Sequence, residues 1–264
     1  MFYTPEQVAE RYPQIVARTV QEPPAAAFAK GAIAGVFIAL AVYGAHSISA
    51  LLQDAGIAAL IASLLFPCGL AMVLLVGGEL FTGNCVMAIA IRRNGVSAGR
   101  VLRNWLIVYL GNFAGSLFIA AMVAYARQGD MAYVQAAVRI AEGKAALTIP
   151  GAFVRAVLCN ICVCSAVWMS HSSESAAGRI VAIYFPVMLF VLTGSEHCVA
   201  NMMTFPVALW LGGSPALSWP GFLLRNLLPV TLGNMAGGTL VFGALLTLSF
   251  HRELRPRPEK KGTP

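Results

Sequence analysis

Long apolar runs alternate with short polar links along most of the chain. Six runs supply the roughly 20 apolar residues that one bilayer crossing needs, at about 28–52, 57–91, 105–125, 150–170, 179–211 and 222–250. The pattern predicts an all-α polytopic membrane protein. Two of the runs are interrupted. The second is broken by Gly77-Gly78-Glu79-Leu80-Phe81-Thr82-Gly83-Asn84, and the fifth by Gly194-Ser195-Glu196-His197-Cys198-Val199-Ala200-Asn201-Met202. Carboxylates, an imidazole and carboxamides at mid-depth are costly, which points to a substrate or ion path rather than to packing alone. A glycine-led polar break inside a span also suggests two half-helices whose ends meet at a binding point.

The flanks differ from the spans. Residues 1–27 are polar. Thr4 can cap a helix whose first turn holds Pro5 and Glu6. Val8, Tyr12, Ile15 and Val16 recur at helical spacing, so a short amphipathic helix at the membrane surface is expected. Residues 28–250 form the transmembrane domain, and 251–264 a basic tail. The first apolar run reads as a span and not as a cleaved leader.

The chain repeats itself. Residues 103–115, RNWLIVYLGNFAG, and 225–237, RNLLPVTLGNMAG, agree at nine of thirteen positions. Both breaks also carry Gly-x-Glu-x4-Asn, after the Phe66-Pro67 and Phe185-Pro186 pairs. Spans one to three thus match spans four to six. Three is odd, so the second copy enters from the opposite face, as an inverted repeat with a pseudo-two-fold axis in the membrane plane.

Composition agrees: 58% hydrophobic and 11% charged residues, with a mean hydropathy of +0.75. A net charge of +7 would suit nucleic acid, but the basic residues cap apolar runs and form no stripe. They instead set orientation. Thirteen Lys and Arg fall on the side of the termini and five on the other, so both termini are expected in the cytoplasm and the protein in a cell (inner) membrane. Cys159, Cys162 and Cys164 stand in an apolar run without a carboxylate or imidazole among them. They read as buried thiols, with no metal or other cofactor implied.

At the breaks, half-helix N-termini would offer free N–H groups and positive dipole ends to a small anion. Glu79 and Glu196 are expected to hold their loops rigid by accepting the orphan loop N–H groups. His197 then remains the titratable group facing the path. An intramembrane metal-dependent enzyme is the alternative of another class. No HExxH is present, and two matched glutamates suit a scaffold better than catalysis. A water channel of similar fold is a nearer rival.

GGELFTGN at 77–84, LCNICVCSAVWMS at 158–170 and GSEHCVANM at 194–202 resemble the signature regions of the formate/nitrite transporter family. The resemblance runs from the N-terminal helix through the last span. It implies an aquaporin-like homopentamer of six-span protomers, each with its own pore for a small monovalent anion (formate, nitrite or hydrosulfide), and no enzymatic activity. By position it implies that His197 is the central pore histidine and Thr82 the loop threonine bonded to it. Asn160 and Asn234 would line the pore, and Asn201 in the second break is grouped with them. Lys144 would be the vestibule lysine. One constriction would be formed by Leu70, Leu80, Phe81 and Val163, the other by Phe66, Phe190 and Ala200. A bare anion is expensive between apolar constrictions. The expected mechanism has the anion gathered by Lys144, crossing neutral after taking a proton near His197, or passing as an anion beside a protonated His197.

Overall fold

The structure is a computed structural model. It describes residues 1–254, so the tail residues Arg255, Arg257, Lys260 and Lys261 lie outside the described residues. Ten helices can be followed: α1 Pro5–Thr19, α2 Pro24–Leu51, α3 Ala55–Val76, α4 Phe81–Ala90, α5 Ala98–Ala126, α6 Met131–Ala145, α7 Ile149–Ser170, α8 Ala176–Leu192, α9 Cys198–Trp210 and α10 Trp219–Ser249. Five of them, α2, α3, α5, α7 and α10, are long and apolar enough to cross a membrane. The run expected at 179–211 is divided between α8 and α9, and that at 57–91 between α3 and α4.

The ends of these helices follow local chemistry. Thr4 and Gln7 form a reciprocal capping box on α1. Asp54, Ser97, Asp130, Thr148 and Ser175 cap α3, α5, α6, α7 and α8. The glycines that open the two breaks are in the left-handed region, Gly77 at φ 86° and Gly194 at φ 63°, where a side chain would be strained. α10 contains two wider π-helical stretches, Phe222–Leu227 and Gly237–Gly243.

Close helix pairs hold the body together. α2 packs along α5, and α7 along α10. Glycines set the distance. A Cβ on Gly115 would stand 2.1 Å from the Ala32 carbonyl oxygen, and one on Gly237 would stand 2.3 Å from that of Val157. Small residues that let backbones approach are the usual means of helix association in a bilayer. Elsewhere large apolar side chains such as Leu106, Phe118, Phe185, Leu224 and Leu248 point outward. Such an exterior suits lipid or neighbouring apolar protein.

Two elements depart from the sequence expectation. α6 lies in the link between the third and fourth runs, to which the sequence reading assigns no element. Its signal is visible in retrospect: Asp130 at the cap, then Tyr133, Ala136, Ala137 and Ala141 buried at helical spacing. The apolar stripe of α1 was expected to lie on the membrane surface. It packs on the protein instead, with Tyr12 against the rings of Trp168 and His171. Tyr3 hydrogen-bonds Glu174, and the terminal amine stands 3.7 Å from the same carboxylate.

Candidate functional site

The two breaks are built from matched residues making matched hydrogen bonds. In the first, Asn112 Oδ1 accepts from Phe81 N–H at 2.9 Å, while its Nδ2 donates to the carbonyls of Gly31 (2.8 Å) and Glu79 (2.9 Å). In the second, Asn234 Oδ1 accepts from Cys198 N–H at 2.9 Å, and its Nδ2 donates to the carbonyls of Ala156 (2.8 Å) and Glu196 (2.9 Å). A buried carboxamide can satisfy the loop's free groups on both sides at once.

This corrects the expected mode of the glutamates. Their oxygens face side-chain amides, not loop N–H groups. Glu79 Oε2 accepts from Asn84 and Asn104, each at 2.9 Å. Glu196 Oε2 accepts from Asn201 at 2.7 Å and from Asn226 at 3.4 Å. The remaining oxygens differ. Glu196 Oε1 accepts from Lys144 Nζ at 2.6 Å, whereas Glu79 Oε1 is buried without a partner among the described residues.

Asn160, Asn201 and Asn234 are fully buried. Asn201 and Asn234 are bonded into the second break as just described. Asn160 Nδ2 donates to the Asn234 carbonyl at 2.6 Å, and its Oδ1 has no partner among the described residues. None of the three lines the cavity beside His197.

That cavity, about 310 Å³, is bounded by α2, α3, α6, α7, α8, the second break and α9. Its wall includes His46, Phe66, Lys144, Arg155, Phe190, Glu196, His197, Ala200 and Thr204. Phe66 and Phe190 meet edge to face at 5.9 Å between ring centroids, and Phe190 stacks on the His197 ring at 5.8 Å. Phe66, Phe190, Ala200 and His197 therefore stand together at the cavity. Leu70, Leu80, Phe81 and Val163 are buried and lie outside its wall. Phe81 packs edge-on to Tyr109 at 4.9 Å.

His197 joins the two breaks. Its Nε2 is 3.0 Å from Thr82 Oγ1. Its Nδ1 accepts the backbone N–H of Ala200 at 3.1 Å, so the imidazole is the N-cap of α9. The neutral ring accepting at Nδ1 carries its proton on Nε2, directed at Thr82.

Two wall residues were not singled out from the sequence. His46 is 2% exposed, with Nε2 3.5 Å from Thr204 Oγ1 and Nδ1 without a partner among the described residues. A histidine inside the first apolar run was its signal. Arg155 entered only the charge count. Among the described residues, no three His, Cys, Asp or Glu side chains gather as a metal-holding group.

Comparison with known proteins settles the family. The model of the "Formate/nitrite transporter" family matches residues 6–248. The chain belongs to the formate/nitrite transporter family. It is 34% identical over 261 residues to the formate channel FocA of Haemophilus influenzae, covering 91% of this chain and 92% of that one. It is 33% identical to the transporter YrhG of Bacillus subtilis, with 98% of both chains covered. Among solved structures it is similar to a pentameric formate channel with formate bound, with a TM-score of 0.79, 31% identity, and coverage of 86% of this chain and 98% of that one. An FNT family ion channel superposes with a TM-score of 0.84 at 27% identity, covering 92% of this chain and 98% of that one. The protein is thus a multi-pass membrane protein of a family of channels and transporters, not an enzyme.

Proposed function

We propose that the protein is a homopentameric channel for small monovalent anions of weak acids, formate foremost, in which proton exchange at His197 lets the substrate cross neutral. Each protomer would hold its own pore through six spans arranged as two inverted repeats, with both termini cytoplasmic in an inner membrane. The observation that carries this reading is the placement of His197 at the cavity, between the Phe190 ring and the Thr82 break. The outward apolar surface would meet lipid and neighbouring protomers. The pentamer and the substrate rest on the likeness to the pentameric formate channel with formate bound.

The chemistry follows from the ring's two bonds. Imidazolium transfers one proton to a formate oxygen, giving formic acid and neutral imidazole. The neutral ring regains the Ala200 N–H bond at Nδ1, a lone pair that protonation there removes. The N-terminus of α9 also opposes a positive charge. The neutral acid then passes Leu70, Leu80, Phe81 and Val163 without the several kcal/mol or more that a bare anion costs in an apolar passage. Nitrite and hydrosulfide satisfy the same scheme.

The test is flux of formate, nitrite, hydrosulfide and lactate into proteoliposomes, side by side at two pH values. Formate flux that rises as pH falls, with lactate slower, is expected. Flux of none of the four anions at either pH would sink the reading, and flux of hydrosulfide alone would replace formate as substrate.

A further inference from the structure

We propose that Arg155, not Lys144, is the anion-receiving residue at the cavity mouth, and that its fork makes a subsite for monovalent anions with two oxygens. The inference deepens the channel reading by naming what the mouth binds.

Three charged side chains line the cavity: Lys144, Arg155 and Glu196. Lys144 and Glu196 are paired at 2.6 Å, and Glu196 is 2% exposed. A pair at that distance acts on an approaching ion as a dipole, whose field falls faster than that of a charge. The net charge of the wall, with both histidines neutral, is then that of Arg155. Its guanidinium is exposed and has no carboxylate within ion-pair distance among the described residues. Nη1 donates to the Gly194 carbonyl at 3.0 Å, which fixes the fork against the second break. Its other N–H groups have no protein partner among the described residues. A guanidinium carries five donors in one plane and matches a two-oxygen anion bidentately, which an ammonium does not.

The matched half of the fold supports the assignment. Glu196 N–H donates to the Arg155 carbonyl at 3.4 Å, and Glu79 N–H to the Lys30 carbonyl at 3.1 Å, so Arg155 and Lys30 are counterparts at the two breaks. Lys30 is neutralised by an ion pair with Glu22. Its counterpart at the cavity is left charged and is an arginine. Arg139 lies nearby, 3.4 Å from the Ser49 carbonyl, but does not line the cavity.

Formate binding to the purified full-length protein, read by saturation transfer to the formate C–H proton, tests this without transport. In Arg155→Gln, binding at low salt weakens about tenfold, and the difference from wild type shrinks at about 0.5 M salt. Arg155→Lys keeps the salt dependence but loses about threefold of the preference for formate over chloride. Size exclusion verifies assembly, and Arg155→Lys decides the matter if Arg155→Gln does not assemble. Arg155→Gln binding within twofold of wild type at low salt overturns the proposal, as does a wild type that binds no formate. Arg155→Lys with wild-type discrimination overturns the two-oxygen subsite. Arg155-dependent binding without flux would sink the channel reading and leave the site. Flux with binding indifferent to Arg155 would do the reverse.

Discussion

His197 Nδ1 accepts the backbone N–H of Ala200 at 3.1 Å, so the ring that faces the cavity also caps the helix behind it. Protonation at Nδ1 costs a helix cap, and deprotonation restores it. Asn is among the best N-caps, with a side-chain oxygen able to accept from the first turn. His197→Asn should therefore assemble and melt within about 1 kcal/mol of wild type. Asn does not titrate, so its formate flux should lose the part of the wild-type pH dependence that the imidazole carries. His197→Leu removes both functions and should be less stable than His197→Asn by about 0.5–2 kcal/mol. An unchanged pH profile in His197→Asn would place the proton exchange elsewhere.

The sequence showed where the chain breaks, because Gly77 and Gly194 and the two glutamates stand out against apolar runs. It also showed that the halves match. It did not show what closes the loops. Asn104 and Asn226 were visible as repeated letters, yet their work is to donate to Glu79 and Glu196 across 25 and 30 residues of chain. No local pattern reports a contact at that separation. Lys144 was legible as a cation near the mouth. Its partner was not, since pairing with Glu196 depends on α6 folding back over the second break. The same limit hid Arg155, which has no carboxylate within ion-pair distance among the described residues.

The Lys144–Glu196 pair yields a second prediction. Lys144→Ala leaves a 2% exposed carboxylate held by amides alone. Removing one partner of a buried pair can cost 3–5 kcal/mol, and about 1–3 kcal/mol is expected here because the Lys144 side chain is 22% exposed. Flux should fall most at low substrate and low salt, since the uncovered negative charge repels the anion and salt screens it. Adding Glu196→Gln should recover much of both losses. A double variant no better than Lys144→Ala would show that Lys144 acts on the anion directly.

Helix approach gives a third. A Cβ on Gly237 meets backbone, which cannot rotate away, whereas one on Gly99 meets nothing within 4 Å. Gly237→Val should lower stability by at least about 1–3 kcal/mol and reduce assembly. Gly99→Ala should be neutral or stabilising by up to about 1 kcal/mol. Equal melting of the two variants in detergent would mean that the α7–α10 contact does not limit stability.

The docking of α1 gives the last, through pH. Tyr3 hydrogen-bonds Glu174, and with the N-terminal amine and Arg11 it holds that carboxyl below its ordinary value of 4.5. A depressed carboxyl stabilises docking above 4.5, and the contribution is lost as pH falls through the lowered value. His171, beside Tyr12, is pushed from 6.5 down to about 4, chiefly by burial and also by Arg179 and Arg11. A buried neutral imidazole has the same sign: its contribution is full above 6.5 and declines as pH falls towards 4. Both groups therefore loosen α1 on acidification, His171 first. Amide exchange of residues 5–19 should quicken relative to the membrane helices between about pH 6.5 and 4, after correction for intrinsic exchange. Glu174→Gln should weaken docking at neutral pH and flatten the lower part of the profile. His171→Phe should flatten the upper part, because an apolar ring against Tyr12 has no proton to take up. Exchange in α1 that does not change across that window would mean that docking rests on Val8, Tyr12 and Val16 burial, with the two titrating contacts incidental.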